Sequence, residues 1–156
     1  PYLVHQDLVG EIAFVLRTYV KNKKGRCRIY EAPVDVQLDC DNKTMVQPDV
    51  MVICKREQMT KKNVLGAPDF VVEVLSKGTR KKDMTIKLNK YTNAGVREYW
   101  IVDPKYERVI VYDIENDLGI SLYTFDDCVP VGIFNGECVI DFKKIKEYVG
   151  DFLLEE

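Results

Sequence analysis

Residues 70–75 read Phe-Val-Val-Glu-Val-Leu, an apolar run of strand length that contains a single acid, Glu73. The apolar side chains on both sides of this acid predict a strand buried on both of its faces. A lone carboxylate in such a strand is costly unless a cation pairs with it or a metal binds it. Glu73 therefore marks either a buried ion pair or a functional site.

A second carboxylate lies at the start of the preceding apolar run. Asp49 directly precedes residues 50–54, a five-residue apolar segment that predicts another buried strand. The distance along the chain to Glu73 is what two neighbouring strands and their connecting loop require. Two carboxylates at adjacent strand positions form an oxygen site that suits Mg²⁺ or Mn²⁺. The structural alternative, an ion pair of Glu73 with a lysine, stays open on these two acids alone.

A basic segment follows the second strand. Between Ser76 and Lys90 the only acid is Asp83, and the six basic residues are Lys77, Arg80, Lys81, Lys82, Lys87 and Lys90. Residues 80–94 predict a helix that ends at Gly95, with Lys87 facing along the sheet edge toward Glu73. Such a lysine could orient the attacking water or offset charge on a phosphate. The other cations could follow a phosphate backbone, or they could simply form a solvated helix face.

The rest of the chain alternates between helical and strand patterns. A further helix is predicted at residues 5–21, and strands are predicted at 27–38 (two short strands or a bent hairpin, with Pro33 inside), 98–102 and 108–114. We expect a polar turn at 39–43, a charged loop at 55–66, and short strands around Gly119 and Gly136 before an amphipathic C-terminal piece. This order predicts a mixed α/β fold with a central sheet, in one domain over residues 1–156.

Composition narrows the class of protein. The chain has 156 residues, 46% of them hydrophobic, which suits one domain with an ordinary core and excludes disorder, collagen and coiled coil. Its net charge of −2 hides a division, because residues 1–90 carry 17 basic and 11 acidic side chains while 91–156 carry 6 and 14. We expect a polarised surface, in which the cations of the helix predicted at 80–94 and the basic turn at 21–26 lie beside the proposed metal site.

Cysteine usage and missing motifs exclude other classes. The five cysteines are odd in number and form no Cys-x-x-Cys pair, so we expect reduced thiols in the cytoplasm and no disulfide framework. One histidine and no paired cysteines exclude a structural zinc site. No P-loop, Gly-x-Ser-x-Gly or His-Glu-x-x-His motif occurs, and no apolar run is long enough for a membrane helix.

Several ordered segments resemble the Uma family of restriction endonucleases, first catalogued as a domain of unknown function and placed in the PD-(D/E)XK nuclease superfamily. The segments are Pro48-Asp49-Val50, the Pro-Asp-Phe-Val-Val-Glu-Val-Leu-Ser stretch at 68–76, then 79–83, Lys87-Leu88, Tyr91, 93–96 and 98–104. The resemblance implies a restriction-endonuclease-like core in the order αβββαβ, with three antiparallel strands, a parallel return strand and extra C-terminal strands. Family members begin with an additional hairpin, so we expect this chain, which opens without methionine, to be a trimmed piece.

By this resemblance, Asp49 is the motif aspartate and Glu73 the motif acid, and both hold Mg²⁺ or Mn²⁺ together with the backbone carbonyl of Val74. The superfamily's lysine normally stands two residues after the acid, where this chain has Leu75. The family is similar in this departure, and Lys87 on the following helix matches its lysine.

Further residues match the family pattern with less defined roles. Lys77 competes with Lys87, Gln47 is expected to hydrogen-bond near the metal, and Asp35 is an accessory position. We expect His5 to make a polar contact at the helix N-terminus and not to bind metal. Four cations are expected to contact DNA: Arg80, Lys81, Lys82 and Lys90.

These readings give three hypotheses. The first is a Mg²⁺-dependent DNA endonuclease of bacterial, cytoplasmic origin, and by analogy with enzymes that cut both strands we expect a homodimer. The second is a catalytically inactive nucleic-acid-binding or interaction domain on the same fold, which the leucine at position 75 favours. The third is a structural oligomerisation module in which Glu73 is ion-paired.

Overall fold

The protein is described by a computed structural model, which covers residues 2–39, 44–117 and 119–153. Its helices are α1 (Leu3–Asn22), α2 (Lys81–Ala94) and α3 (Phe142–Val149). Its strands are β1 (Arg28–Glu31), β2 (Asp35–Gln37), β3 (Met45–Val46), β4 (Val50–Ile53), β5 (Asn63–Leu65), β6 (Phe70–Val74), β7 (Glu98–Asp103), β8 (Arg108–Asp113), β9 (Gly119–Thr124), β10 (Cys128–Pro130) and β11 (Val139–Asp141). No helix among the described residues is both long and apolar enough to cross a bilayer.

A six-stranded mixed sheet forms the centre of the fold, in the order β1-β4-β6-β7-β8-β9. Strand β4 pairs in antiparallel orientation with both β1 and β6, and β7 pairs with β6 in parallel after the crossover through α2. The core is therefore a helix, three antiparallel strands, a helix and a parallel strand. This confirms the predicted αβββαβ order, and β8 and β9 extend the sheet beyond it.

The two faces of the sheet carry separate hydrophobic cores. Alternate residues of β4 and β6 point to opposite faces, so Val52 and Val72 pack in the core that contains α1, while Met51 and Val71 pack in the core on the α2 side. All four residues are completely buried, which explains why both strands are continuously apolar. On α2 only Tyr91 is fully buried, while Met84 and Leu88 are partly buried and pack against the same core.

The structure corrects the charged loop predicted at 55–66 and describes little of the turn predicted at 39–43. The segment at 55–66 is not a plain charged loop, because it contains a short 3₁₀ helix (Arg56–Gln58) and β5. Strand β5 pairs in parallel with β2, which also pairs with β3, and these three short strands form a small second sheet. A sheet assembled from two- and three-residue strands leaves little periodicity in the sequence. The turn predicted at 39–43 lies mostly outside the described residues.

The expectation of reduced cysteines is wrong for one pair, because Cys27 and Cys54 form a disulfide. They are 27 residues apart in sequence, but antiparallel pairing of β1 with β4 brings their Cα atoms to 4.0 Å. Sequence spacing alone does not show such cross-strand proximity. Among the described residues, the free cysteines are Cys128, which is exposed, and Cys138, whose burial raises its pKa to about 11.

We expect the native protein, purified without reductant, to protect Cys27 and Cys54 from alkylation while Cys128 reacts. Peptide mapping by mass spectrometry should find Cys27 and Cys54 in one linked pair that separates on reduction. Full labelling of both residues without reductant would show that the pair is not formed.

Glu98 at the start of β7 ties the central sheet to the segment before β11. It is 4% exposed, and its carboxylate accepts hydrogen bonds from Trp100 Nε1 at 2.7 Å, Gly132 N at 3.2 Å and Ile133 N at 2.9 Å. Burial raises the pKa of Glu98, and these three donors oppose that rise. Gly132 approaches so closely that an added Cβ would lie 2.8 Å from Glu98 Oε1, so a side chain there would displace the carboxylate.

Glu98→Ala should lower the free energy of unfolding by at least about 2 kcal/mol, because it leaves buried donors without an acceptor. Urea denaturation followed by tryptophan fluorescence measures the change. Glu147→Ala, which removes a carboxylate from the exposed side of α3, is the matched control and should change stability by less than about 0.5 kcal/mol. Equal stability of the two variants would contradict the role assigned to Glu98.

Candidate active site

The strand register brings the two sequence-predicted acids to one edge of the sheet. Val50 of β4 pairs with Val72 of β6 in antiparallel orientation, so the next residues along, Asp49 and Glu73, face each other across the two strands. Asp49 Oδ2 accepts a hydrogen bond from the backbone N–H of Val74 at 2.8 Å. This bond fixes the aspartate at the end of β6 that carries Glu73.

Glu73 is held by two side chains from α2. It is 7% exposed; its Oε2 accepts a hydrogen bond from Lys87 Nζ at 2.9 Å, and its Oε1 accepts one from Tyr91 Oη at 2.9 Å. Lys87 and Tyr91 are four residues apart and so share one face of the helix. Burial raises the pKa of Glu73, with a smaller contribution from Asp49, while Lys87 and Tyr91 oppose the rise. The site therefore contains a carboxylate whose burial is only partly compensated.

His5 of α1 belongs to the same site, which sequence reasoning missed. Its Nε2 lies 3.1 Å from the carbonyl oxygen of Val74, to which it donates, and 3.4 Å from Asp49 Oδ2. The hydrogen bond with Asp49 is the largest cause that raises the pKa of His5. The expected contact at the helix N-terminus is wrong, because the N-cap is Tyr2 and the imidazole points toward the sheet edge. Only packing of α1 against the ends of β4 and β6 creates this contact.

An open cavity of about 520 Å³ joins these groups. Its lining includes His5, Asp49, Glu73, Val74 and Lys87. Asp49, Glu73, Val74 and Lys87 thus border one solvent-accessible volume, and the carbonyl oxygen of Val74 lies 3.1 Å from His5, another residue of the lining. Carboxylate and carbonyl oxygens are the donors that Mg²⁺ and Mn²⁺ prefer, so the arrangement can accept a hard divalent cation. Within the described ranges, no three His, Cys, Asp or Glu side chains cluster as a metal site, so the Val74 carbonyl and water would have to complete the ligands.

The structure distinguishes the two candidate lysines by position. Lys87 contacts Glu73, whereas Lys77 is exposed and lines a neighbouring cavity of about 250 Å³. Leu75, at the position of the superfamily's lysine, is half-buried and borders both cavities. The catalytic role of Lys87 stays a prediction, but its placement next to the acid agrees with the helix-face argument from the sequence.

Of the accessory residues Gln47 and Asp35, only Gln47 lines the cavity. Gln47 borders it and donates from Nε2 to Asp35 Oδ1 at 2.8 Å, which links these two sequence-predicted positions. The four cations expected to contact DNA are all exposed on or directly before α2: Arg80, Lys81, Lys82 and Lys90. Asp83 on the same helix also borders the cavity, and it lies 3.8 Å from the Arg80 guanidinium.

The basic turn at 21–26 is not beside the site, contrary to the expectation from charge distribution. It follows the C-terminal end of α1, while His5 near the N-terminal end contacts Asp49. A helix rises by about 1.5 Å per residue, so the turn lies roughly 25 Å or more from His5 along this axis. The positive excess of the first ninety residues is therefore divided between two separate regions.

Tyr91→Phe should remove the hydrogen bond to Glu73 Oε1 and lower the free energy of unfolding by about 1–3 kcal/mol, since a buried acceptor loses its donor. Urea denaturation measures the effect. Tyr112→Phe is the control, because Tyr112 stacks on Tyr99 and its hydroxyl has no hydrogen bond to the described residues. A loss no larger than that of the control would contradict the Tyr91 contact.

The fold and this carboxylate edge define a nuclease-like protein. A family model described as "Putative restriction endonuclease", Uma2, matches residues 2–127, and the chain belongs to this family. Among solved structures, the chain is similar to one described as "a putative nuclease belonging to DUF820" from Anabaena variabilis ATCC 29413. The two share 20% sequence identity and a TM-score of 0.78 over 96% of this chain and 84% of the other, a likeness of fold. No curated protein matches the chain significantly.

Proposed function

We propose that the protein is a DNA endonuclease that depends on Mg²⁺ or Mn²⁺ and hydrolyses phosphodiester bonds. The observation that carries the proposal is the one cavity lined by Asp49, Glu73 and Val74, with Lys87 on the buried acid. Membership of the Uma2 family supports the nuclease class. The metal, and DNA as the substrate, are the parts that the experiments below test.

The donor chemistry of the site fits a divalent cation. Each carboxylate oxygen has two lone pairs, so Glu73 keeps acceptor capacity beyond the bonds from Lys87 and Tyr91. Its incompletely compensated burial favours a further positive charge close by. A bound Mg²⁺ would supply an acidified water and would stabilise negative charge on the scissile phosphate.

The side chains would prepare the site for that chemistry. Asp49 is held in place by the N–H of Val74, and His5 braces both Asp49 and the Val74 carbonyl from α1. Lys87 lines the cavity with a side chain that is 46% exposed, and its ammonium could orient the attacking water and meet the phosphate. The exposed cations of α2 would bind neighbouring phosphates of the substrate.

Supercoiled plasmid should be cleaved in Mg²⁺ or Mn²⁺, and Asp49→Ala, Glu73→Ala and Lys87→Ala should each lower the rate by about 10²-fold or more. Gel electrophoresis over time measures the rate. Lys77→Ala is the matched lysine control and should keep the wild-type rate, because Lys77 borders a different cavity.

If wild type cuts and the three site variants cut equally well, the site assignment is wrong. If Lys77→Ala abolishes cleavage while Lys87→Ala does not, the lysine has been assigned to the wrong position. Cleavage that persists in EDTA would contradict the metal dependence.

The inactive-domain alternative is supported by Leu75 in place of the superfamily's lysine, and the structural-module alternative by the Glu73–Lys87 ion pair. Calorimetric titration with Mn²⁺ separates them from the endonuclease. We expect binding by wild type that is lost in Asp49→Ala and Glu73→Ala. Binding of DNA without cleavage, unchanged by Glu73→Ala, would favour the inactive domain. The absence of any metal binding would favour the structural module.

A further inference from the structure

A further cavity of about 650 Å³, here the basic cavity, lies at the end of the sheet remote from the proposed active site. Five of the residues that line it are cationic, and none of the lining residues is acidic. The cations are Arg17, Lys21, Arg26, Arg28 and Arg56. They come from the end of α1, the turn after it, β1 and the short 3₁₀ helix after β4. The cations are thus collected from four chain segments and do not form a simple sequence run.

Two elements run from one cavity to the other. Helix α1 contributes His5 to the proposed active site and Lys21 to the basic cavity, which separates them by roughly 24 Å at about 1.5 Å per residue. Strand β4 begins after Asp49, which lines the proposed active site, and Cys54, directly after the end of β4, lines the basic cavity. The basic cavity is therefore a separate site and not an extension of the first.

The walls of the basic cavity are held by specific contacts. Arg17 donates from Nη2 to the carbonyl of Ile29 at 2.9 Å and pairs through Nη1 with Glu31 at 2.9 Å. The disulfide between Cys27 and Cys54 joins the two strand ends that border the cavity. These contacts connect α1, β1 and β4, so the backbone that carries the cations is fixed before any ligand arrives.

Most of the positive charge in this cavity has no partner. Glu31 offsets Arg17, but Lys21, Arg26 and Arg28 are exposed and have no ion pair with a side chain of the described residues. Among the described residues, Arg56 donates only to the carbonyl of Met59, at 3.4 Å. Like charges collected in one concavity raise the local potential and attract anions. Guanidinium groups in particular match the geometry of phosphate oxygens.

We propose that this basic cavity binds the phosphodiester backbone of nucleic acid as a second contact, independent of the proposed active site. The inference rests on the proposed function only for the choice of nucleic acid as the polyanion; the cavity itself requires no cleavage. Lys21, Arg26 and Arg28 contact phosphates, and the fixed Arg17 shapes the wall. A nuclease with two such regions holds DNA at a point away from the bond that it cuts.

The test measures DNA binding without cleavage. Fluorescence anisotropy of a labelled duplex is recorded in EDTA over a series of salt concentrations for wild type and for the double variant Arg26→Ala/Arg28→Ala. Each lost phosphate contact lowers the slope of log affinity against log salt by about 0.9, so the double variant should lose about 1.8. The control is Lys143→Ala/Lys144→Ala, which removes the same charge from α3 and borders neither cavity. It should keep the wild-type slope.

An unchanged slope in Arg26→Ala/Arg28→Ala, or an equal loss in the control, overturns the proposal. Inorganic phosphate, titrated in place of DNA, identifies a small-anion site. If the double variant loses phosphate binding but keeps the DNA slope, the cavity holds a small anion and the proposal is wrong. The failure of the proposed endonuclease is separate, because it shows in plasmid cleavage by wild type, whereas this slope is measured with the metal removed.

Discussion

The antiparallel register between β4 and β6 is the constraint on which the site depends. Val50 opposite Val72 places Asp49 opposite Glu73, and a shift of one residue would turn every side chain of β4 to the wrong face. Burial holds both strands in the sheet, because each is apolar on both faces and each face has its own core. The hydrogen bond from the Val74 N–H to Asp49 Oδ2 joins the two strands at the polar edge. The sheet edge that carries Asp49 and Glu73 is thus positioned largely by the packing of apolar residues of β4 and β6.

The buried carboxylate of Glu73 needs a cation and hydrogen-bond donors, and α2 supplies both. The carboxylate is inside a sheet, and the helix that crosses over to the parallel strand β7 presents an ammonium and a hydroxyl to it on one face. A crossover is needed to connect the parallel strands β6 and β7, and the helix that forms it, α2, also carries the cation Lys87. Helix α1 closes the other side, where His5 braces Asp49 and the Val74 carbonyl, and the opposite end of the same helix borders the basic cavity.

Much of the fold follows from local patterns, and the exceptions have physical causes. The apolar runs at 50–54 and 70–75 and the periodic helices were sufficient for a mixed α/β fold with a central sheet, since strongly patterned segments fold as their periodicity indicates. The αβββαβ order of the core followed from the resemblance to the Uma family. The small sheet and the Cys27–Cys54 disulfide were missed because short strands leave no periodicity and cross-strand partners lie far apart in sequence. His5 was assigned to a helix end because nothing local to it shows that α1 lies against the sheet edge. The basic turn was placed beside the wrong cavity for the same reason.

The sequence by itself determined the αβββαβ core and the family, and it proposed Asp49, Glu73 and Lys87 as one constellation. The αβββαβ core and the family rest on the resemblance of ordered motifs to the Uma family. The mixed α/β order rests on side-chain periodicity, and the constellation starts from a lone acid in an apolar strand. Only the tertiary structure decided that His5 and Tyr91 contact the acids, that Lys77 borders a different cavity, and that the cations divide between two ends of the sheet. Those outcomes depend on contacts between residues that are far apart in sequence. Only the packing of the whole chain brings such residues together.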